Sequence, residues 1–164
     1  NNMATRITGG TLTVTITESL TMTHATSADN RVHSQTITKT FASIDNLEKR
    51  VLNLPNTNQV EIVSLGSTAT SGLGVFKRSA VEYIRITNLD ATSSNYVTVI
   101  LEATGADTAC IKVDGDGGTL MLTDAQIEAF TDGSAFSAWS DLHHIFLKAY
   151  AANTQVEIVI ATTD

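Results

Sequence analysis

Residues 11–23 read TLTVTITESLTMT, an alternation in which every odd position is Thr or Ser and the even positions are Leu12, Val14, Ile16, Glu18, Leu20 and Met22. Successive side chains of a strand point to opposite faces, so a period of two held this long predicts a strand with one apolar and one hydroxylated face. Glu18 interrupts the apolar face. A carboxylate there costs free energy unless it is paired or at the margin of the covered region, which places the strand near an edge or a subunit contact. Residues 25–31 (ATSADNR) carry turn chemistry, with Asp29 and Asn30 able to take the left-handed conformation. In the return strand, residues 32–41, Ile37 and Phe41 share a face with His33, Gln35 and Lys39. Both faces are largely polar, so residues 11–41 are expected to form a hairpin arm that buries itself on another chain, since an exposed edge invites pairing.

The same period recurs downstream. Residues 81–103 (VEYIRITNLDATSSNYVTVILEA) place Ile84 and Ile86 on one side with Val97, Val99 and Leu101, which predicts two strands joined by a polar turn as an antiparallel hairpin. Residues 43–54 are expected to form a turn and then a strand, ended by Pro55, which has no ladder N–H to give. A strand follows at 59–65, then a loop at 66–74 rich in Ser, Thr and Gly, with Val75 and Phe76 re-entering the core. Residues 109–113 and 119–122 read as a second hairpin around Asp114-Gly115-Asp116-Gly117-Gly118. Residues 123–130 (TDAQIEAF) make the best helix, with Thr123 as N-cap, Gln126 as capping-box partner, and Ile127 and Phe130 on one face. Residues 131–141 read as a loop, with Phe136 and Trp139 over the core. Strands at 143–151 and 156–163 close the chain as a final antiparallel pair. The expected fold class is all-β: a single antiparallel β-sandwich domain of jelly-roll type, residues 1–164, with nine or ten strands and one short helix.

Composition agrees with this reading. Aromatics make up only 5% of a chain that is 42% hydrophobic, so the core must come mainly from Val, Ile, Leu and Ala. At 164 residues such a core needs no staples. The formal charge of -7 rests on ten Lys and Arg, nowhere denser than Lys49-Arg50 or Lys77-Arg78. A nucleic-acid footprint requires a basic stripe, so no nucleic-acid partner is expected. No apolar run approaches the ~18 residues of a membrane span, and neither a membrane partner nor export is expected. Cys110 cannot form an internal disulfide alone and reads as a small buried hydrophobe.

Few residues invite chemistry. The alternating Asp114 and Asp116 could wrap oxygens around calcium, but an EF-hand counted from Asp114 closes on Ala125 instead of Glu. A tight hairpin loop is therefore preferred to a metal site, and no cofactor is expected. His143 and His144 are adjacent, so on a strand they are expected to point to opposite faces and not to chelate one ion together. Ser140, Asp141 and His143 lie too close along the chain to assemble a hydrolytic relay. There is no Gly-x-Ser-x-Gly elbow and no phosphate-cradling loop, and acids such as Glu82, Glu102 and Asp107 are scattered. An enzyme is not expected.

The stretch Tyr83-Ile84-Arg85-Ile86-Thr87-Asn88-Leu89-Asp90, followed by a strand at 96–101, resembles small virion structural proteins of tailed phages, especially marine ones. The likeness extends in order to the threonine-rich opening at 9–23, the strand at 50–55 ending in proline, and the closing strand at 156–161. Residues 114–118 and 123–141 have no counterpart in the shorter pattern. The resemblance implies a structural role in a virion with no chemistry attached. The expectation is a capsid decoration or cement protein, assembled in the host cytoplasm and located on the phage particle. Its expected partners are the major capsid protein and itself, as a trimer or another small ring, with Leu12, Val14, Ile16, Leu20 and Met22 as interface residues. The alternatives are a tail or adsorption component that holds a host glycan through Trp139 and the loops at 66–74 and 131–141, and an envelope-degrading hydrolase.

Overall fold

A computed structural model describes residues 9–22, 31–67, 74–105, 107–129 and 140–163. The chain divides into two compact units, residues 1–44 and 45–164. In the first, β1 (Gly10–Met22) pairs with β2 (Arg31–Ile44) as a two-stranded antiparallel sheet whose register runs from Gly10↔Ile44 to Met22↔Arg31. The return strand therefore extends past Phe41, where the sequence placed its end, to Ile44. Residues 25–30 lie outside the described residues.

In the second unit, strands whose alternate positions are Val, Ile or Leu bury those positions against one another. They are β3 (Asn46–Leu54), β4 (Val60–Gly66), β5 (Val75–Lys77), β6 (Val81–Asn88), β7 (Val97–Ala103), β8 (Thr108–Val113), β9 (Thr119–Thr123), β10 (Leu142–Ala149) and β11 (Thr154–Thr162). A four-stranded sheet has the order β3-β11-β6-β9, and a five-stranded sheet the order β5-β4-β10-β7-β8. Only β4 and β5 pair in parallel among the described strands. Leu54, Ile84, Ile86, Leu122, Val156, Ile158 and Ile160 from the first sheet meet Val63, Leu65, Val97, Val99, Leu101, Val113, Ile145 and Leu147 from the second in one core. The expected all-β sandwich is what the chain forms, with a core of aliphatic side chains as the composition required.

The pairing of neighbours differs from expectation. β6 and β7 read as a hairpin, yet they lie in different sheets; the same holds for β8 with β9 and for β10 with β11. Inward-facing residues look identical whether a short connection folds a strand beside its predecessor or carries it to the opposite sheet. Asn88 makes the first of these crossings. Its side chain is fully buried. Its carboxamide nitrogen donates to the Asn95 carbonyl at 2.8 Å and to that of Val113, in the opposite sheet, at 3.2 Å. Its oxygen accepts the Asp90 N–H at 3.0 Å. The turn after β6 is thus fastened to both sheets. The loop at 114–118 lies on it so closely that a Cβ on Gly115 would clash with the Thr92 carbonyl oxygen.

The expected helix is a single turn, α1 (Asp124–Ile127), whose Ile127 is buried. The capping box forms: the Gln126 side-chain oxygen accepts the Thr123 N–H at 2.6 Å. Phe130, Phe136 and Trp139 lie outside the described residues.

On the outer face of the four-stranded sheet, Glu157 pairs with Lys49 at 2.9 Å and with Arg85. The hydrogen bond from Lys49, then that from Arg85, holds its carboxyl below the usual value of 4.5. A carboxyl whose folded pKa is depressed stabilises the fold above its ordinary value, and that contribution disappears as pH falls through the depressed one. Wild type should therefore exceed Glu157→Gln in stability by at most about 1 kcal/mol at neutral pH, because such pairs are solvent-screened. The difference should shrink on acidification below 4.5. Urea unfolding at a series of pH values checks this, and a difference independent of pH would contradict it.

Candidate assembly site

The sheet formed by β1 and β2 has twelve paired positions and no third strand among the described residues. One face is hydroxylated, with Thr13↔Thr40, Thr15↔Thr38, Thr17↔Thr36 and Ser19↔Ser34 as cross-strand pairs. The other carries the five residues singled out from the sequence. Leu12 lies opposite Phe41, Val14 opposite Lys39, Ile16 opposite Ile37, Glu18 opposite Gln35 and Leu20 opposite His33, with Met22 at the far end. Leu12 and Val14 are half-buried and Phe41 is buried, with the Lys39 Nζ 4.9 Å from its ring centroid. Ile16 is 39% exposed, Leu20 53%, Met22 57% and Ile37 48%.

An isolated two-stranded sheet is marginal in water. Burying the exposed halves of four large apolar side chains would recover roughly 3–6 kcal/mol per copy, at ~1.5–3 kcal/mol for each full side chain. The face is about 40 Å by 10 Å, roughly half the area that one partner gives to a standard interface. It is therefore suited to an assembly in which many modest contacts add. Ile37 and Lys39, which the alternation put on one face of the return strand, join this face through a cross-strand register that the sequence left open, because it depends on a turn whose exact length the alternation does not specify.

Other positions singled out from the sequence have structural partners. Asp114 pairs with Lys112 at 2.8 Å, and the Asp116 N–H donates to the Asp90 carbonyl at 2.5 Å. The loop at 114–118 is thus tied to the turn at 89–96 and crosses between sheets instead of turning a hairpin. No group of three or more His, Cys, Asp or Glu that could hold a metal occurs among the described residues. His143 and His144 do not point apart. The register slips between Leu142 and His144, so His143 is the extra residue of a β-bulge, and the two ring centroids lie 3.9 Å apart. His144 Nδ1 lies 2.8 Å from a Glu61 carboxylate oxygen. Cys110, expected to be buried, is exposed on the edge strand β8, because Ala109 and Ile111 take the inward positions.

Two features were missed. Tyr96 and Tyr150 stack with centroids 4.3 Å apart, Tyr150 is 61% exposed, and the Lys112 Nζ stands 4.7 Å from the Tyr96 ring. An open depression of about 390 Å³ includes Arg78, Glu128 and Asp141 in its lining. Arg78 donates to the Leu142 carbonyl at 2.8 Å and pairs with Asp141 at 2.9 Å, while Asp141 also accepts the Ala129 N–H at 2.9 Å. Those charges fasten the chain segments around the depression. Trp139 and most of the loops expected to touch a glycan lie outside the described residues.

The class these features define is an all-β sandwich together with a two-stranded sheet whose apolar face is exposed at Ile16, Leu20, Met22 and Ile37. No known protein family matches the chain, and no curated protein sequence matches it.

Proposed function

We propose that the protein is a phage virion structural protein, a capsid decoration or cement protein that binds the head shell, with the major capsid protein and further copies of itself as partners. The observation that carries this reading is the apolar face of a sheet of only two strands among the described residues, on which Ile16, Leu20 and Met22 are exposed and Leu12 and Val14 half-buried. We read the strand order as a jelly roll: β3-β11-β6-β9 facing β4-β10-β7-β8, with β5 added at one edge. Viral coat proteins use that architecture, an analogy of fold that supports the proposal without carrying it. Each contact is modest, and repetition over a lattice supplies avidity that a single copy lacks. Quantitative mass spectrometry of intact virions tests the reading. Hundreds of copies per particle are expected, and a handful would move the protein to the tail.

The Tyr96–Tyr150 stack favours a second reading, an adsorption component in which the exposed Tyr150 ring packs on a host glycan. A glycan array probed with the wild type and with Tyr150→Ala separates the two. Binding that disappears in the variant would favour adsorption, and an array without signal would remove it.

A further inference from the structure

We infer that the two-stranded sheets of two copies of this chain pack face to face and antiparallel about a two-fold axis at the Ile16–Ile37 pair. The inference rests on the reading of this sheet as an assembly element. Residues 1–44 hold three Lys and Arg against two Asp and Glu, whereas residues 45–164 hold seven against fifteen. Two sandwiches therefore repel, and the nearly neutral β1–β2 sheet is where copies approach at least electrostatic cost.

Its apolar face carries Glu18 and Lys39. Glu18 lies opposite Gln35 and Lys39 opposite Val14, one cross-strand pair to either side of Ile16–Ile37. Within one chain they stand about 14 Å apart along the strands, too far to pair. A half-turn about an axis at Ile16–Ile37 brings Glu18 over the pair that includes the partner subunit's Lys39, and does so twice by symmetry. The same operation lays Ile16 on the partner subunit's Ile16 and Leu20 over the partner subunit's Leu12. A parallel ring would instead gather like charges, Glu18 with Glu18 and Lys39 with Lys39. The charges thus favour a two-fold clasp over the trimer or small ring expected from the sequence. On a shell, such clasps would link neighbouring copies.

Sedimentation equilibrium of the full chain tests this. The expected result is a concentration-dependent rise from the 17.4 kDa monomer to twice that mass. Glu18→Lys and Lys39→Glu should each weaken the dimer at least ~10-fold, since each creates two like-charge contacts, and the double variant should restore it to within about 3-fold. Both substitutions are at exposed positions, and recovery in the double variant excludes misfolding as the cause of the single effects. A monomer at all concentrations, a trimer, single variants without effect, or no recovery in the double variant would overturn the inference. A monomer that still occupies particles would overturn the clasp and leave the proposed function standing. A dimer that never occupies particles would do the reverse.

Discussion

Asn88→Ala is expected to lower the stability of the sandwich by about 2–6 kcal/mol, because the buried Val113 carbonyl left unpaired costs roughly 1–3 kcal/mol and each of the two part-buried hydrogen bonds roughly 0.5–1.5 kcal/mol. The Asn95 and Val113 carbonyls would each lose a donor and the Asp90 N–H its acceptor. A domain of this size is stable by only about 5–15 kcal/mol, so the variant should sit near the threshold of folding at 37 °C. Urea unfolding measures the difference. A loss below about 1 kcal/mol, the net worth of one ordinary hydrogen bond, would mean that the crossing between sheets does not depend on this carboxamide. Asn88→Asp should recover little, since a carboxylate cannot donate to the two carbonyls.

Removing residues 9–44 should leave residues 45–164 folded and abolish occupancy of the particle. Each member of the main apolar cluster falls between Leu54 and Ile160, so the deletion takes nothing from that core. The midpoint of thermal unfolding should move by no more than about 4–8 °C, the shift of a ~1 kcal/mol change in a small domain. Co-sedimentation with purified capsids should fall to background. Occupancy unchanged by the deletion would place the shell contacts on the sandwich, and a truncated chain that failed to fold would show that the two units depend on each other.

Which side chains point inward was legible from the sequence, and which strands lie side by side was not. Ile84, Ile86, Val97, Val99 and Leu101 face the core as the alternation requires. Nothing in that alternation distinguishes a hairpin from an arch between sheets, so three strand pairs were assigned to the wrong neighbours. The bulge at His143 leaves no trace in composition, which is why the two imidazoles were expected to point apart. Cys110 could have been placed correctly, because Ala109 and Ile111 flank it in the same period-two frame. The stretch from Tyr83 to Asp90, on which the likeness to virion proteins was built, has structural work at nearly every position. Ile84 and Ile86 fill the core, Arg85 pairs with Glu157, Asn88 spans the sheets, and Asp90 accepts the Thr92 N–H at 2.8 Å, which keeps its carboxyl acidic. Such a stretch specifies a corner of a sandwich, and a role in assembly has to be argued from the uncovered sheet. Of that site, the β1 half was readable and the β2 half waited on the register.

β11 lies between β3 and β6 in the four-stranded sheet, although it is the last of the four in chain order. During translation β3 therefore has no in-sheet neighbour until residues 154–162 leave the ribosome, and β6 has only β9. The nascent chain can pair β4 with β5, β7 with β8 and β6 with β9 as they emerge, but β3 waits for β11 and the two halves of the five-stranded sheet wait for β10, so closure of the sandwich is a late event.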